Sequence, residues 1–141
     1  MTKLIKSVIL GIALLLAMPV YAANTIDVSD DGLTVTIRAI DADWTWTDTF
    51  TDTKYADGIR IDYIRFNPEA TGDLCSIKDY NNGDVKHFLV LCADTYDDRI
   101  QYYYGAKLKL ELDVDDTNGT WTASYTAGSS ITIQLWRTQE P

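Results

Sequence analysis

Residues able to carry out acid–base or nucleophilic chemistry are few in this sequence, and they are not grouped. The single histidine, His87, lies within an apolar run from Val85 to Cys92, and no Gly-x-Ser-x-Gly motif is present. A hydrolytic triad and a multi-histidine zinc site therefore lack the residues they need. The 21 acidic residues fall mostly in turn-like segments, where aspartate stays solvated, rather than as a facing pair for glycoside hydrolysis. The sequence thus indicates a protein that is not an enzyme.

One acidic segment has the oxygen ligands that calcium prefers. Asp113, Asp115, Asp116 and Asn118 lie within six consecutive positions, and carboxylate and amide oxygens are typical calcium ligands. The spacing does not match an EF-hand loop, because Gly119 comes one position late and no glutamate closes the segment. A hairpin turn explains the same residues without a metal. Calcium is the one cofactor that the sequence leaves open.

The first 22 residues have the pattern of a secretory signal peptide. Lys3 and Lys6 form a basic start, an apolar stretch runs from Val8 to Met18, and small residues precede a cleavage position after Ala22. We therefore expect a signal peptide over residues 1–22 and a single domain over 23–141, located in the periplasm or outside the cell. No later segment is apolar over enough residues to span a membrane.

Charge and cysteine content fit this location. The expected mature chain has ten basic and 21 acidic residues, a net charge of −11, which argues against binding to nucleic acid or to anionic membranes. Cys75 and Cys92 are the only cysteines. Since an oxidising compartment favours disulfides, we expect one structural bond between them.

Apolar and polar residues alternate along almost every segment after Ala23, as in strands with one buried face. The pattern predicts eight or nine short strands, including 108–114 and 131–135, and no helix. It is typical of an all-β, single-domain antiparallel β-sandwich of jelly-roll or immunoglobulin-like topology. Within 59–66 the alternation slips by one residue, so we expect a β-bulge near Tyr63.

Two strands have contrasting expected positions in the sheets. The run from Val85 to Cys92 is largely apolar on both faces, which predicts a strand in the middle of a sheet or one between a sheet and a covering layer. The last strand, 131–135, is amphipathic and is followed by Trp136 on its polar face. We expect this strand at a sheet edge, where it is available for pairing or docking.

Aromatic residues give the strongest indication of a binding surface. They are two tryptophans that alternate with threonines in an expected strand over 44–51, a run of three tyrosines, and the tryptophan after the last strand. These residues are Trp44, Trp46, Tyr102, Tyr103, Tyr104 and Trp136. Exposed aromatic rings stack on sugars and anchor protein interfaces. The alternative for the first pair is that, with Trp121, they fill the core.

Four short segments carry a resemblance to a known group of proteins. The segments are IRIDYIRFNP at 59–68, ATGD at 70–73, IKD at 77–79 and DRIQYYYG at 98–105. Together they resemble small single-domain all-β proteins encoded among phage structural genes. The resemblance covers about residues 58–135, implies a structural or adhesive role, and gives no site residues to carry over.

A second comparison, with chaperone–usher pilins, depends on chain size, two cysteines and Gly128, which is fourteenth from the end. Glu140 stands where those subunits favour tyrosine, and the apolar residues of the last strand have the wrong phase. This family is therefore set aside.

These observations predict an exported, non-catalytic β-sandwich that acts through protein–protein contact, as a structural, surface or assembly subunit. Its partner would be another protein or a second copy of itself. The alternative is a carbohydrate-binding module that holds a polysaccharide on an aromatic platform, with calcium as a stabilising ion. Trp136 would anchor a protein contact in the first function and stack on a sugar in the second.

Overall fold

The computed structural model describes residues 24–93, 99–114, 117–118 and 121–139, without the side chains at 84, 117, 118, 121 and 122. The expected signal peptide, 1–22, lies outside these residues. So do Asp115 and Asp116 of the expected calcium segment, and the side chains of Asn118 and Trp121. In the part of the chain described, no helix is long and apolar enough to cross a membrane.

The alternating segments form strands, and turn residues separate them. The described residues form one single-turn helix, α1 (Trp46–Thr49), one 3-10 turn (Thr53–Tyr55) and eleven strands. The strands are β1 (Thr25–Val28), β2 (Thr34–Arg38), β3 (Trp44–Thr45), β4 (Ile59–Asn67), β5 (Leu74–Asp79), β6 (Asn82–Leu91), β7 (Arg99–Leu108), β8 (Leu110–Leu112), β9 (Thr117–Asn118), β10 (Trp121–Thr122) and β11 (Ser130–Leu135). The number exceeds the expected eight or nine because three strands have only two residues each, too few for an alternating pattern to reveal.

Two antiparallel sheets face each other across one core. The five-stranded sheet has the order β1-β2-β11-β4-β7, and the four-stranded sheet has the order β3-β8-β5-β6. β9 and β10 form a separate two-stranded pair. The expectation of an all-β antiparallel sandwich is confirmed.

The apolar face of each sheet fills the space between them. Each large apolar side chain that is fully buried stabilises the fold by about 1.5–3 kcal/mol. The largest such side chains are Trp44, Phe66, Phe88, Ile37, Ile59, Ile61, Ile64, Ile77, Leu110, Leu112, Ile131 and Ile133. Branched residues predominate because they pack well on a pleated surface.

The slip of alternation in β4 is a β-bulge, as expected. The pairing of β4 shifts between Ile61 and Tyr63 against both neighbouring strands, β11 and β7. Ile61 and Ile64 therefore both face the core and are fully buried, whereas Tyr63 is only partly buried.

The expected central position of β6 is wrong. β6 is an edge strand of the four-stranded sheet and pairs only with β5 among the described strands. Phe88 is buried on its inner face, but Leu89 and Leu91 are each 40% exposed. An apolar composition on both faces thus reflects one face in the core and one face that remains partly in water.

The expected edge position of β11 is also wrong. β11 is the middle strand of the five-stranded sheet, paired with β2 on one side and β4 on the other. Its alternation shows that one face meets solvent, which is equally true of a central strand in an antiparallel sheet. The pattern therefore does not distinguish an edge from a centre.

The expected strand over 44–51 is replaced by the short strand β3 and the helix α1. Asp48 ends the strand, because its carboxylate accepts hydrogen bonds from the backbone N–H and the hydroxyl of Thr45, at 2.6 and 3.1 Å. This local pairing is typical of a helix start. The alternating threonines consequently do not share one strand face.

The expected disulfide is wrong, since Cys75 and Cys92 are both buried and are not bonded to each other. Val90 is the residue of β6 opposite Cys75, and Cys92 lies two positions further along. Such diagonal neighbours are about 7–8 Å apart, beyond the Cα separation of about 4.4–6.8 Å that a disulfide spans. Burial raises the pKa of the Cys75 thiol, which keeps it protonated and unreactive.

A buried carboxylate closes one end of the sandwich. Asp73, 4% exposed, precedes β5 and accepts five hydrogen bonds of 2.6–3.1 Å. The donors are the backbone N–H groups of Glu69, Ala70 and Thr126 and the hydroxyls of Thr126 and Ser129. Burial by itself would raise the pKa of Asp73, but these hydrogen bonds outweigh it and hold the pKa below its ordinary value.

Candidate binding surface

Exposed aromatic residues come together on the outer face of the five-stranded sheet, where β4 and β7 pair. Tyr63 of β4 is directly opposite Tyr102 of β7. Ile61 is opposite Ala106, so the three residues 103–105 of β7 face the single residue Asp62. β7 is therefore bulged at the position of the tyrosine run.

The bulge has an unusual backbone. Tyr104 has a φ of 51° and Gly105 has a φ of 82°, in the left-handed region that glycine adopts readily and tyrosine rarely. For a residue other than glycine this conformation costs about 1–3 kcal/mol. Tyr104 is 76% exposed, so the protein maintains a strained backbone at a residue whose ring lies mostly in solvent.

The tyrosine rings of this region contact one another. The centroids of the Tyr63 and Tyr102 rings are 5.9 Å apart, with an angle of 65° between the ring planes. The Tyr102 and Tyr104 rings are also 5.9 Å apart, and their planes differ by only 23°. Tyr102 is 53% exposed. The contacts hold the rings in a fixed arrangement while much of their surface remains accessible.

Trp136 extends this group across β4. Its backbone N–H donates to the carbonyl of Arg60 at 2.9 Å, and its indole lies over Gly105. A Cβ at Gly105 would be 3.2–3.3 Å from three indole carbons, so glycine leaves the room that the ring needs. Trp136 is 38% exposed. We call Tyr63, Tyr102, Tyr104 and Trp136 the aromatic surface.

The aromatic surface adjoins a sheet edge. Among the strands that the structure describes, β7 pairs only with β4, and its second side is a row of backbone donors and acceptors without a strand partner. Ile100 adds 45% exposed apolar surface to the outer face of β7. This combination of a long edge strand and exposed rings suits contact with another chain.

Tyr103 points to the other face of β7, away from the aromatic surface. Its ring packs against the core, and its hydroxyl donates to the carbonyl of His87 at 2.5 Å. The side-chain amide of Gln101 donates to the same carbonyl at 3.2 Å. Burial raises the pKa of the Tyr103 hydroxyl, and the nearby Cys75 adds to this effect. Tyr103 thus links β7, an edge strand of the five-stranded sheet, to β6, an edge strand of the four-stranded sheet.

Trp44 and Trp46, the other two aromatic candidates, are core residues. They are 1% and 3% exposed. The indole N–H of Trp44 donates to the hydroxyl of Thr49 at 3.0 Å, and that of Trp46 donates to the carbonyl of Tyr55 at 2.8 Å. Both rings therefore fill the core of the sandwich and are not part of an exposed binding surface.

The calcium candidates are described only in part. Asp113 accepts a hydrogen bond from Lys78 at 2.6 Å, so its carboxylate is already paired with a cation. Asp115 and Asp116 lie outside the described residues, as does the side chain of Asn118. Within the described ranges, no group of three or more His, Cys, Asp or Glu side chains is arranged to hold a metal.

The pKa shifts of the described acidic side chains all have the same direction. The acids whose pKa clearly departs from its ordinary value, Asp31, Asp57, Asp73 and Asp79, all have a lowered pKa. Asp79 lies 3.3 Å from the Nε2 of His87. A general acid for glycoside hydrolysis needs the opposite shift.

Tyr63 is the member of the aromatic surface that the sequence did not identify. A regular strand would put Tyr63 on the same face as Ile59 and Ile61, in the core. The bulge expected near this residue was the available signal, since an extra residue re-aims the side chain that follows it.

No protein-family model, no curated protein and no solved structure matches this chain.

Proposed function

We propose that this protein is an exported, non-catalytic β-sandwich that acts through protein–protein contact, with the aromatic surface and the edge of β7 as the contact region. The observation that carries the proposal is the grouping of Tyr63, Tyr102, Tyr104 and Trp136 beside an edge strand. Tyrosine and tryptophan are the residues most often found at the energetic centres of protein interfaces.

The backbone of Tyr104 supports the same conclusion. A strained backbone at an exposed residue destabilises the free protein, and such positions cluster at functional sites. The stacked Tyr102 and Tyr104 rings are rigid and amphipathic, so binding them costs little conformational entropy.

The strand order supports a jelly-roll topology as the finer description of the fold. Without β1, β9 and β10, the strands divide into β2-β11-β4-β7 and β3-β8-β5-β6, so most successive strands alternate between the sheets. Jelly rolls serve as capsid subunits, which work through contact between copies, and as lectins. This is an analogy at the level of the fold, and the aromatic surface carries the functional argument.

The proposal is tested by the solution mass of the purified protein, measured by light scattering over a range of concentrations. We expect oligomers whose mass falls toward that of a monomer in the variant Tyr102→Ser. The matched control is Tyr80→Ser, because Tyr80 is similarly exposed (51%) but follows β5 in the other sheet. A parent protein that is monomeric at all concentrations, or equal effects of the two substitutions, would contradict assembly through this surface.

A carbohydrate-binding module is the second candidate, favoured by the near-parallel Tyr102 and Tyr104 rings. Rings in this arrangement can stack on the faces of successive sugars. The same two variants separate the functions in a polysaccharide-binding assay. Loss of polysaccharide binding in Tyr102→Ser, with the solution mass unchanged, would select this candidate.

A further inference from the structure

A cleft of about 750 Å³ lies at the end of the sandwich opposite Asp73. The antiparallel register brings together the start of β2, the end of β11, the start of β4 and the end of β7 at this end. The cleft extends from Leu33 beside β2 to Lys107 in β7, a width of three interstrand spacings, or about 14 Å. Its volume is typical of small-molecule sites, which occupy roughly 300–1,000 Å³.

The cleft is basic although the protein is acidic. Lys54, Lys107 and Arg137 line it, and among the described residues no acidic side chain is part of the lining. The whole chain has a formal net charge of −9. Three of its 12 basic residues are therefore gathered at one cavity.

Neighbouring carboxylates neutralise the positive charges of Lys54 and Lys107 only in part. The Nζ of Lys54 is 3.9 Å from Asp52, and the Nζ of Lys107 is 3.5 Å from Asp57. Asp57 makes its shorter contact, 3.0 Å, with Lys109. Both lysine contacts are longer than a charge-assisted hydrogen bond, which is about 2.7–2.9 Å. The lysines can therefore turn toward a ligand without breaking a strong ion pair, and Lys54 would then leave the ring of Tyr55, whose centroid is 4.8 Å from its Nζ.

Arg137 and Thr138 are polar residues of the cleft whose side chains have no such acidic neighbour among the described residues. Neither side chain makes a hydrogen bond or ion pair with any residue of the described ranges, and both are exposed. A guanidinium presents paired donors that match a carboxylate, sulfate or phosphate group.

The chain segment that carries these two residues is held in place. The side-chain amide of Gln139 donates to the carbonyls of Arg60 and Trp136, at 2.9 and 2.7 Å, and its oxygen accepts from the N–H of Arg60 at 2.9 Å. Leu33 and Tyr55 add an apolar side chain and an aromatic ring to the lining. The cleft therefore combines three cationic side chains with a surface suited to the C–H face of a sugar.

We propose that this cleft binds an acidic sugar chain, with Arg137, Lys54 and Lys107 on its carboxylate or sulfate groups and Tyr55 against a sugar ring. The site is separate from the aromatic surface and goes beyond the proposed protein contact. The Arg137 substitution leaves the members of the aromatic surface in place, so loss of sugar binding and loss of self-association are distinguishable.

Calorimetric titration of the protein tests the proposal with five probes. They are trigalacturonate, a heparin tetrasaccharide, neutral cellotriose, inorganic phosphate and a hexa-aspartate peptide. We expect one or both acidic sugars to bind, more weakly as salt is added, and cellotriose to bind at least tenfold more weakly. A response to trigalacturonate indicates carboxylate recognition, and a response to the heparin fragment indicates sulfate recognition.

Charge-matched variants locate the site. Arg137→Gln should weaken binding of the acidic sugar about tenfold, and Lys54→Gln should weaken it less. Arg38→Gln removes the same charge at the far end of β2, where Arg38 pairs with Asp27, and should leave binding unchanged. Failure of both acidic sugars to bind, equal binding of phosphate, cellotriose or hexa-aspartate, or equal losses in Arg137→Gln and Arg38→Gln would each overturn the proposal.

Discussion

Trp46, at the start of α1, and Trp136, after β11, are the same residue type in opposite environments. Trp46 is 3% exposed and its indole N–H donates to Tyr55. Trp136 is 38% exposed, and its indole N–H makes no hydrogen bond with the described residues. An aromatic residue whose polar atom has an internal partner contributes to the fold, whereas one without such a partner is available to a ligand.

The two ends of the sandwich differ in the same way. Asp73 at one end is buried and receives five internal hydrogen bonds. Arg137 at the other end is exposed, and its charge meets no partner in the described part of the chain. Polar groups that are satisfied internally should govern stability, and those that are not should govern binding.

The largest loss of stability is expected for a tryptophan of the core. Trp44→Ala removes a ring that is 1% exposed and should reduce the free energy of unfolding by about 3–5 kcal/mol. Urea denaturation measures this loss. Trp44→Phe is the control and should lose less, because most of the ring volume remains. A loss below about 1 kcal/mol for Trp44→Ala would contradict a stabilising role of this ring in the core.

Asp73→Asn should have the next largest effect, a loss of about 2–4 kcal/mol at neutral pH. Since the pKa of Asp73 is lowered in the folded protein, its contribution is fully present above about pH 4, the ordinary range of an aspartate. The contribution is lost as the pH falls through the lowered pKa. Denaturation at several pH values should therefore show a weaker acid dependence in Asp73→Asn than in the parent, and equal dependence would refute this role.

Adjacent tyrosines of β7 should differ in their contribution to stability. Tyr103→Phe removes the hydroxyl that donates to His87 and should cost about 1 kcal/mol of unfolding free energy. Tyr102→Phe changes a residue on the outer face and should stay within about 0.5 kcal/mol of the parent. Equal losses of unfolding free energy in the two variants would show that the Tyr103 hydroxyl contributes no more to stability than the Tyr102 hydroxyl.

A small net effect on stability is also expected at Tyr104. Tyr104→Gly relieves the left-handed backbone but loses the stacking on Tyr102, so the two changes nearly cancel, within about 1 kcal/mol. Self-association, measured by light scattering, should nevertheless weaken. A variant that unfolds would contradict this cancellation, and a folded variant that associates like the parent would separate Tyr104 from the proposed contact.

Alternation along the chain was sufficient to predict the sandwich, most core residues and the bulge near Tyr63. It did not predict the positions of β6 and β11, because a strand pattern reports which face is buried and not which strands lie alongside. It also did not predict the unbonded cysteines, since a disulfide depends on a register that places Val90 opposite Cys75.

Three of the six aromatic candidates, Tyr102, Tyr104 and Trp136, do lie on one surface. Their grouping could not be derived from the sequence, because it depends on β4 lying between β11 and β7. The basic cleft was missed for the same reason. Lys54, Lys107 and Arg137 are far apart along the chain. The antiparallel register brings the ends of β7 and β11 to the two sides of the start of β4, and the 3-10 turn that precedes β4 adds Lys54.

Amide hydrogen exchange, measured at low and high protein concentration, is the most direct test of contact through the aromatic surface and the edge of β7. β7 and β1 are the two edges of the five-stranded sheet, but only β7 adjoins the aromatic surface. We expect protection of the β7 amides to rise with concentration while that of the β1 amides does not. Protection that is independent of concentration in β7, or that rises equally in β1, would contradict contact through the aromatic surface.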